Sequence, residues 1–361
     1  LKSGQKINKQ GMWAATLRYH EGRFYICFVA NDTRKTYLYT SEKIDGPWKK
    51  QLIEGFYHDV SLLFDEDGRN YIVYGNDEIW ITELNEDLTA PKKDGLHRLL
   101  VSDHKNPELG YEGSHIQKIN GYYYIFLIHS LRDRWMRTEA CFYSDSLEGE
   151  FTGGDVLCDD RGYCGQGVAQ GGIVDTPDGK WYAMLFQDSG AVGRLPILLP
   201  VTWRDHFPVF GQNGHVPEEI EVHSTRPGYI YQPLVGSDDF CNGLLPRWQF
   251  NHDPDPRYYH LDALQGTYTI TTREVCTELT QAVNTLTQRM SYPSCAAEVT
   301  VDASALKEGD VAGLCALQSC YAAVGITKHH GKYEVLMLDK KEDGILDMTE
   351  GTVVESHQMD F

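Results

Sequence analysis

Four times along the first half of the chain the same arrangement recurs. An apolar run leads into a polar turn that closes on glycine, and an alternating strand rich in aromatic residues follows. The segments are Tyr19-His20-Glu21-Gly22-Arg23-Phe24-Tyr25, Phe64-Asp65-Glu66-Asp67-Gly68-Arg69-Asn70-Tyr71, Lys118-Ile119-Asn120-Gly121-Tyr122-Tyr123-Tyr124 and Val174-Asp175-Thr176-Pro177-Asp178-Gly179-Lys180-Trp181-Tyr182. Asn-Gly and Asp-Gly between alternating apolar runs predict β-hairpins, because their tight turns need positive φ. A further strand is predicted after each hairpin, as in Thr36-Tyr37-Leu38-Tyr39-Thr40 and Glu78-Ile79-Trp80-Ile81-Thr82. The turn glycines lie 46, 53 and 58 residues apart. Helical periodicity is weak throughout. A strand-only unit at that spacing predicts the blades of a β-propeller, with a β-sandwich of accidentally similar hairpins as the alternative.

Between Pro208 and Pro233 the alternation fades into Gly- and Pro-containing sequence such as Arg226-Pro227-Gly228, which reads as a connector. Beyond it, short alternating runs such as Gly266-Thr267-Tyr268-Thr269-Ile270-Thr271 and Ala296-Ala297-Glu298-Val299-Thr300-Val301 predict a β-sandwich. The expected organisation is all-β, with a propeller domain over residues 1–235 and a sandwich over 236–361. No closing element is evident at Met359-Asp360-Phe361, so the second domain is expected to be cut short.

Composition narrows the function. With 33 basic and 52 acidic side chains the formal charge is −19, which argues against a nucleic-acid partner. No apolar run is long enough for a membrane helix. The 22 Tyr, 13 Phe and 7 Trp exceed the ordinary needs of a core, and aromatic rings also offer flat apolar faces to sugars. The nine cysteines are odd in number, and Cys27, Cys141, Cys295 and Cys315 sit in apolar runs. Reduced, buried thiols are therefore expected, which slightly favours a cytoplasmic location. Leu1-Lys2-Ser3-Gly4-Gln5 carries neither an initiator Met nor an apolar signal core, so the chain is expected to begin partway through a longer protein.

Several chemical motifs fail. Gly165-Gln166-Gly167-Val168-Ala169-Gln170-Gly171 has Gln170 at the third glycine position of a dinucleotide fingerprint, and no helix pattern follows. Cys315 and Cys320 lack partners at zinc spacing. His329-His330, beside a turn glycine, reads as a solvated pair. What survives is a pair of carboxylates at comparable places in successive repeats. Asp59 stands before the second hairpin in Tyr57-His58-Asp59-Val60-Ser61, and Glu112 before the third in Tyr111-Glu112-Gly113-Ser114-His115. Inner blade strands converge on the propeller axis, so such acids point into one funnel. Paired carboxylates around a sugar break glycosidic bonds, one donating a proton and another activating water.

Gly11-Met12-Trp13-Ala14-Ala15-Thr16-Leu17-Arg18, the Asp59 segment with Phe64-Asp65-Glu66-Asp67-Gly68, and Glu112-Gly113-Ser114-His115-Ile116 together resemble glycoside hydrolase family 43. Within it they resemble the β-xylosidase and α-L-arabinofuranosidase members. The resemblance continues through Gly171-Gly172-Ile173-Val174-Asp175 and into Trp248-Gln249-Phe250-Asn251 and Asn284-Thr285-Leu286-Thr287, so it covers nearly the whole chain. It implies a five-bladed propeller with an appended β-sandwich, and an inverting hydrolase that removes terminal xylose or arabinofuranose from xylo-oligosaccharides or arabinoxylan fragments. Glu112 matches the family's general acid. Asp59 matches the acid that orients it and disfavours its ionisation. Trp13 matches an aromatic wall of the sugar site, Arg194 a funnel arginine that binds sugar hydroxyls, and His115 and Gln170 are further expected substrate contacts.

Two departures from the family pattern matter. The family's general base is an Asp upstream of the Trp13 motif, so this chain is expected to lack that base with most of the first blade, and to be inactive for want of it. Asp32 and Asp188 are the nearest substitutes. Gln170 stands where many members carry an axial His associated with calcium, which puts that cation in doubt; no cofactor is otherwise required. The rival readings are a non-catalytic carbohydrate-binding propeller and a fructan-cleaving one. The latter's Arg-Asp-Pro motif is broken here by Arg134 after Arg132-Asp133.

Overall fold

A computed structural model describes residues 11–222, 224, 226–251, 253–276, 279–291, 294–318, 320–340 and 352–359. The chain's first and last residues therefore lie outside the described part. Contacts divide the chain into two compact units, which meet in sequence at Ser224 and Thr225.

In the first unit, each predicted hairpin opens a four-stranded antiparallel sheet. The strands are β1 (Thr16–His20), β2 (Arg23–Ala30), β3 (Lys35–Ser41) and β4 (Lys49–Ile53); β5 (Ser61–Phe64), β6 (Asn70–Asn76), β7 (Glu78–Leu84) and β8 (His97–Ser102); β9 (Glu112–Ile119), β10 (Tyr122–Ser130), β11 (Arg137–Ser144) and β12 (Thr152–Leu157); and β13 (Ala169–Asp175), β14 (Trp181–Asp188), β15 (Arg194–Arg204) and β16 (Phe207–Phe210). Each group of four forms one sheet in simple sequential order. All four turn glycines are left-handed, but at the two Asp-Gly turns only the glycine is, Gly68 at φ 82° and Gly179 at 77°, so those turns are not the predicted hairpin type. At the other two, Glu21 and Gly22 sit at φ 46° and 79°, and Asn120 and Gly121 at 51° and 86°, so both central residues are left-handed.

Side-chain alternation explains how the sheets stack. In β10, Tyr123, Ile125 and Leu127 enter one apolar cluster with Leu63, Tyr71, Val73 and Ile79 of the preceding sheet. The intervening Tyr124 and Phe126 enter another with Ile173, Ala183 and Leu199 of the following sheet. A strand covered on both faces is apolar along most of its length, which is why Tyr122 to Ile128 reads as a continuous apolar run ahead of the buried polar His129 and Ser130. A third cluster joins Cys27, Leu38 and Ile53 to Leu62, Ile72 and Leu84. Full burial of each such side chain contributes roughly 1.5–3 kcal/mol.

The first strands of the sheets, β1, β5, β9 and β13, lie side by side. Polar groups tie them together. Arg18 of β1 donates to the Leu62 carbonyl at 2.9 Å, to Ser61 Oγ at 2.7 Å and to the Ile116 carbonyl at 3.2 Å. Burial lowers its pKa to about 10. Gln117 of β9 donates to the Ile173 carbonyl of β13 at 2.8 Å. Such fixed inner strands give their N-terminal ends a rigid common mouth.

In the second unit, β17 (Gln249–Phe250) pairs with β20 (Leu286–Thr287), and β18 (Tyr259–Asp262) with β19 (Thr267–Ile270). A four-stranded sheet follows in the order β21 (Val311–Leu317), β22 (Tyr321–His329), β23 (Lys332–Lys340) and β24 (Thr352–Gln358). Two expectations are corrected here. Residues 296–301 form no strand: the alternation supplies propensity, but no ladder is made and all six residues are exposed. Of the four cysteines read as buried, Cys27 and Cys141 are, whereas Cys295 is exposed and Cys315 half-buried, because the segments holding them are not covered on both faces. All nine thiols are free.

Candidate active site

Asp59 and Glu112 meet at the mouth of the inner strands. Asp59 occupies the turn before β5, at φ 47° and only 6% exposed. The preceding carbonyl, of His58, accepts from Gly75 N–H of β6 at 3.0 Å and fixes the turn. Glu112 opens β9 opposite Ile128, where the register against β10 shifts. Two further irregularities place side chains in the same region: Glu139 stands at the β11–β12 shift, and Gln170 beside the β13–β14 shift. Irregularities of this kind re-aim single residues without dismantling a sheet.

His58 connects the two acids. Its Nε2 lies 3.5 Å from Glu112 Oε2 and 3.7 Å from Asp59 Oδ2. Asn76 of β6 donates to Glu112 Oε2 at 2.6 Å. The Trp13 ring stands edge-on to the His58 ring with centroids 5.3 Å apart, and it is 44% exposed. Gln170 reaches Asp59 Oδ2 through Nε2 at 3.5 Å. Its own backbone, at φ 66°, is held by donation of its N–H to Glu139 Oε2 at 2.6 Å. Gly113 makes room for this arrangement, since a Cβ there would come within 2.7 Å of Gln170 Cγ. Asp59, His115 and Gln170 line one pocket with Thr16 and Ser114.

Arg194 makes its direct contacts in a neighbouring cluster, and its charge still reaches Asp59. Its Nε donates to Asp188 Oδ1 at 3.1 Å, while Arg137 binds the other Asp188 oxygen. Both guanidinium groups lie over the Phe186 ring, at 4.3 Å and 4.8 Å. Asp188, named above as a substitute base, thus has both oxygens engaged and serves to orient two cations.

Burial dominates the electrostatics. It raises the Asp59 pKa, and the Glu112 charge adds to that, while His58, the Gly113 N–H and Arg194 oppose it. His58 is raised chiefly by the Glu112 carboxylate 3.5 Å from its Nε2, against the cost of burial. Burial pushes His115 down to about 3, so its ring is neutral. Glu139, with no exposed surface, is raised well above its ordinary value by burial.

The structure therefore brings Glu112, Asp59 and Trp13 together around His58, sets Gln170 against Asp59, lines the same pocket with His115, and places Arg194 on the Asp188–Phe186 cluster. Sequence reasoning passed over His58, Asn76, Arg137 and Glu139. A signal existed for two of these. His58 directly precedes Asp59, and Glu139 is the one carboxylate of β11, next to the apolar run Ala140-Cys141-Phe142.

The donors around the axial pocket bear on calcium. Thr16 Oγ1 and Ser114 Oγ are buried without partners among the described residues. With the Gln170 amide they are neutral groups, and Asp59 is the one carboxylate lining the pocket. Calcium takes six to eight oxygens, from carboxylates, carbonyls and waters. The side chains of Thr16, Asp59, Ser114 and Gln170 supply fewer oxygens than that by themselves.

Comparison with known proteins adds two domain matches. The model described as glycosyl hydrolases family 43 matches residues 2–208, and the β-xylosidase C-terminal concanavalin A-like domain matches residues 237–360. A β-xylosidase of Formosa agariphila is 25% identical, over 91% of this chain and 64% of its own length. A non-reducing end α-L-arabinofuranosidase of Bacteroides ovatus is 23% identical, over 96% of this chain and 68% of its own. Among solved structures, a bifunctional GH43-CE protein of Bacteroides eggerthii is 38% identical with a TM-score of 0.82. The match covers 98% of this chain but 45% of that one. The chain thus spans under two thirds of the length of some of the relatives it matches.

Proposed function

The chain belongs to glycosyl hydrolases family 43, built as an all-β propeller followed by a concanavalin A-like sandwich, and on that premise we propose that it acts on xylan-derived oligosaccharides, releasing terminal xylose or arabinofuranose. The observation that carries the reading is the convergence of Glu112, His58 and Asp59 at one end of the inner strands, with an exposed tryptophan beside them. The names of the relatives support the substrate class.

In this reading Glu112 gives its proton to the glycosidic oxygen as the bond to the anomeric carbon breaks, and the leaving sugar departs as a neutral alcohol. Asn76 and His58 hold the Glu112 carboxyl in place, and Asp59 sets the local charge. In the same displacement a water adds to the opposite face of the ring and gives its proton to a second carboxylate, roughly 6.5–9.5 Å from the acid, a part to which no residue of this sequence is assigned. Asp188 is not assigned that part, since two arginines engage it. No step uses a metal ion. The stereochemistry is the test: the first-formed sugar, followed by NMR, is expected to carry the inverted anomeric configuration. Retention would overturn the mechanism, and binding of xylose with no release from a chromogenic xyloside would favour a binding module instead.

Trp13 and Arg194 are read as sugar contacts. Both are substantially exposed, the Arg194 side chain at 59%, so neither supports the core. Their replacement by Ala is expected to raise KM or lower kcat while leaving Tm nearly at the parent's value. A large stability loss with unchanged kinetics in the folded fraction would make them structural.

A further inference from the structure

The histidine pair at the β22–β23 turn has no part in the chemistry above, and the fold gives it a partner that lies distant in sequence. His330 and Gly331 form the turn at φ 50° and 71°. Glu308 caps both turn amides, Oε1 accepting from His330 N–H and Oε2 from Gly331 N–H at 3.3 Å. The segment carrying Glu308 is itself fixed to β22. Gly309 N–H donates to the Lys328 carbonyl at 2.9 Å, and Thr327 Oγ1 to the Asp310 carbonyl at 2.7 Å. One ligand atom from each of Glu308, His329 and His330 lies within 4.8 Å of the others. A fourth donor is close, with Glu334 Oε1 3.9 Å from His329 Nδ1.

The nearby cations do not occupy this space. Lys328 lies over the Tyr333 ring at 5.4 Å, and Lys332 donates to Gln358 Oε1 at 3.2 Å. The two histidine rings sit only 4.0 Å apart by centroid, tilted by 46°. Two imidazoles so close repel one another when both are protonated, whereas two neutral rings offer two nitrogen lone pairs.

We propose that Glu308, His329 and His330, with Glu334 as the fourth donor, form a binding site for a borderline divalent transition ion of the Zn²⁺ type. Two imidazoles with carboxylates are a nitrogen–oxygen set that suits Zn²⁺, Ni²⁺ or Cu²⁺ and not an all-oxygen ion such as Ca²⁺. Tetrahedral zinc at about 2.0–2.1 Å from its donors needs them about 3.3 Å apart. Exposed rings on a hairpin reach that spacing by side-chain rotation. Glu308 is held below the usual carboxylate range by the two turn amides and is ready as an anionic ligand. The bound ion would fasten the segment before β21 to the β22–β23 hairpin.

The test does not depend on hydrolase activity. Untagged chain, stripped with chelator, is titrated with Zn²⁺ and separately with Ca²⁺ by calorimetry, and its thermal unfolding is followed in parallel. One Zn²⁺ is expected to bind this site, with a rise in Tm, and Ca²⁺ is expected to leave it unchanged. The double variant His329→Ala/His330→Ala should weaken Zn²⁺ affinity at least ~10-fold and abolish the Tm rise. Glu308→Gln, which keeps an oxygen for the turn, should weaken it in the same direction without unfolding the hairpin. Binding should also fall as the pH is lowered, because protons compete for the ligands. The second geometrically possible cluster, His58, Asp59 and Glu112, supplies the control. Zn²⁺ binding that survives in the double variant and disappears in His58→Ala would overturn the proposal, as would a double variant with unaltered affinity.

Discussion

In the complete enzyme, general base included, Glu112→Gln is expected to slow cleavage of natural xylosides by about 10²–10⁴-fold, the usual contribution of a positioned general acid. Aryl glycosides with good leaving groups should lose much less, because a phenolate departs without needing a proton. The substitution is nearly isosteric, and Asn76 Nδ2, now 2.6 Å from Glu112 Oε2, can still donate to the amide oxygen of glutamine. The fold therefore survives, and any loss reads as chemistry. The measurement is kcat/KM for a series of leaving groups of graded acidity in parent and variant. The parent should be nearly flat across the series, and the variant steep. A loss of equal size on every substrate would assign Glu112 a structural part and remove it from the mechanism.

Replacing Glu139 by Gln should change how stability depends on pH, and the sign follows from burial. The Glu139 carboxyl has no exposed surface, and its Oε1 has no partner among the described residues. Its folded-state pKa is raised well above the ordinary 4.5. Below that ordinary value the group is protonated in both states and favours neither. Above it the unfolded chain releases the proton while the folded chain keeps it, so the folded state binds more protons and stability falls as pH rises. The slope for one proton is about 1.4 kcal/mol per pH unit, and it continues until Glu139 ionises in the folded state. The amide of the Glu139→Gln variant has no such proton, yet its oxygen can still accept from the Gln170 N–H. Denaturant midpoints for the two proteins should therefore diverge from about pH 5 upward, with the variant the more stable. Asp59 and His58 titrate alike in both proteins and cancel in the difference. Parallel curves would mean that the buried carboxyl is ionised and compensated, and that its neutrality is not what sets the axis.

Why such a carboxyl stands there is legible from its neighbours. Glu139 holds the left-handed backbone of Gln170, Gln170 reaches Asp59, and Asp59 shares His58 with Glu112. These residues come from two different sheets and from the turn before β5, and nothing in their local sequence spacing announces the link. Asp59 and Glu112 were readable because each precedes a recognisable hairpin. His58 was signalled only by its place directly before Asp59, a weak signal because a histidine beside a turn is common, and only the position of Glu112 gives it a function.

The amino-acid sequence by itself determined the strands, the turns and the repeat. Hairpin chemistry is local: Glu21-Gly22 and Asn120-Gly121 take left-handed turns whatever lies elsewhere, and apolar alternation decides which faces are covered. The family likeness was equally available, since its motifs are short and contiguous. Tertiary structure decided the rest. Register shifts at Glu112, Glu139 and Gln170 depend on the partner strand, the engagement of Asp188 depends on two arginines from different strands, and the proximity of Glu308 to His329 and His330 depends on how a loop returns to a hairpin. Residues 296–301 carry the strand pattern but make no ladder, because propensity resides in a segment whereas pairing requires a second one.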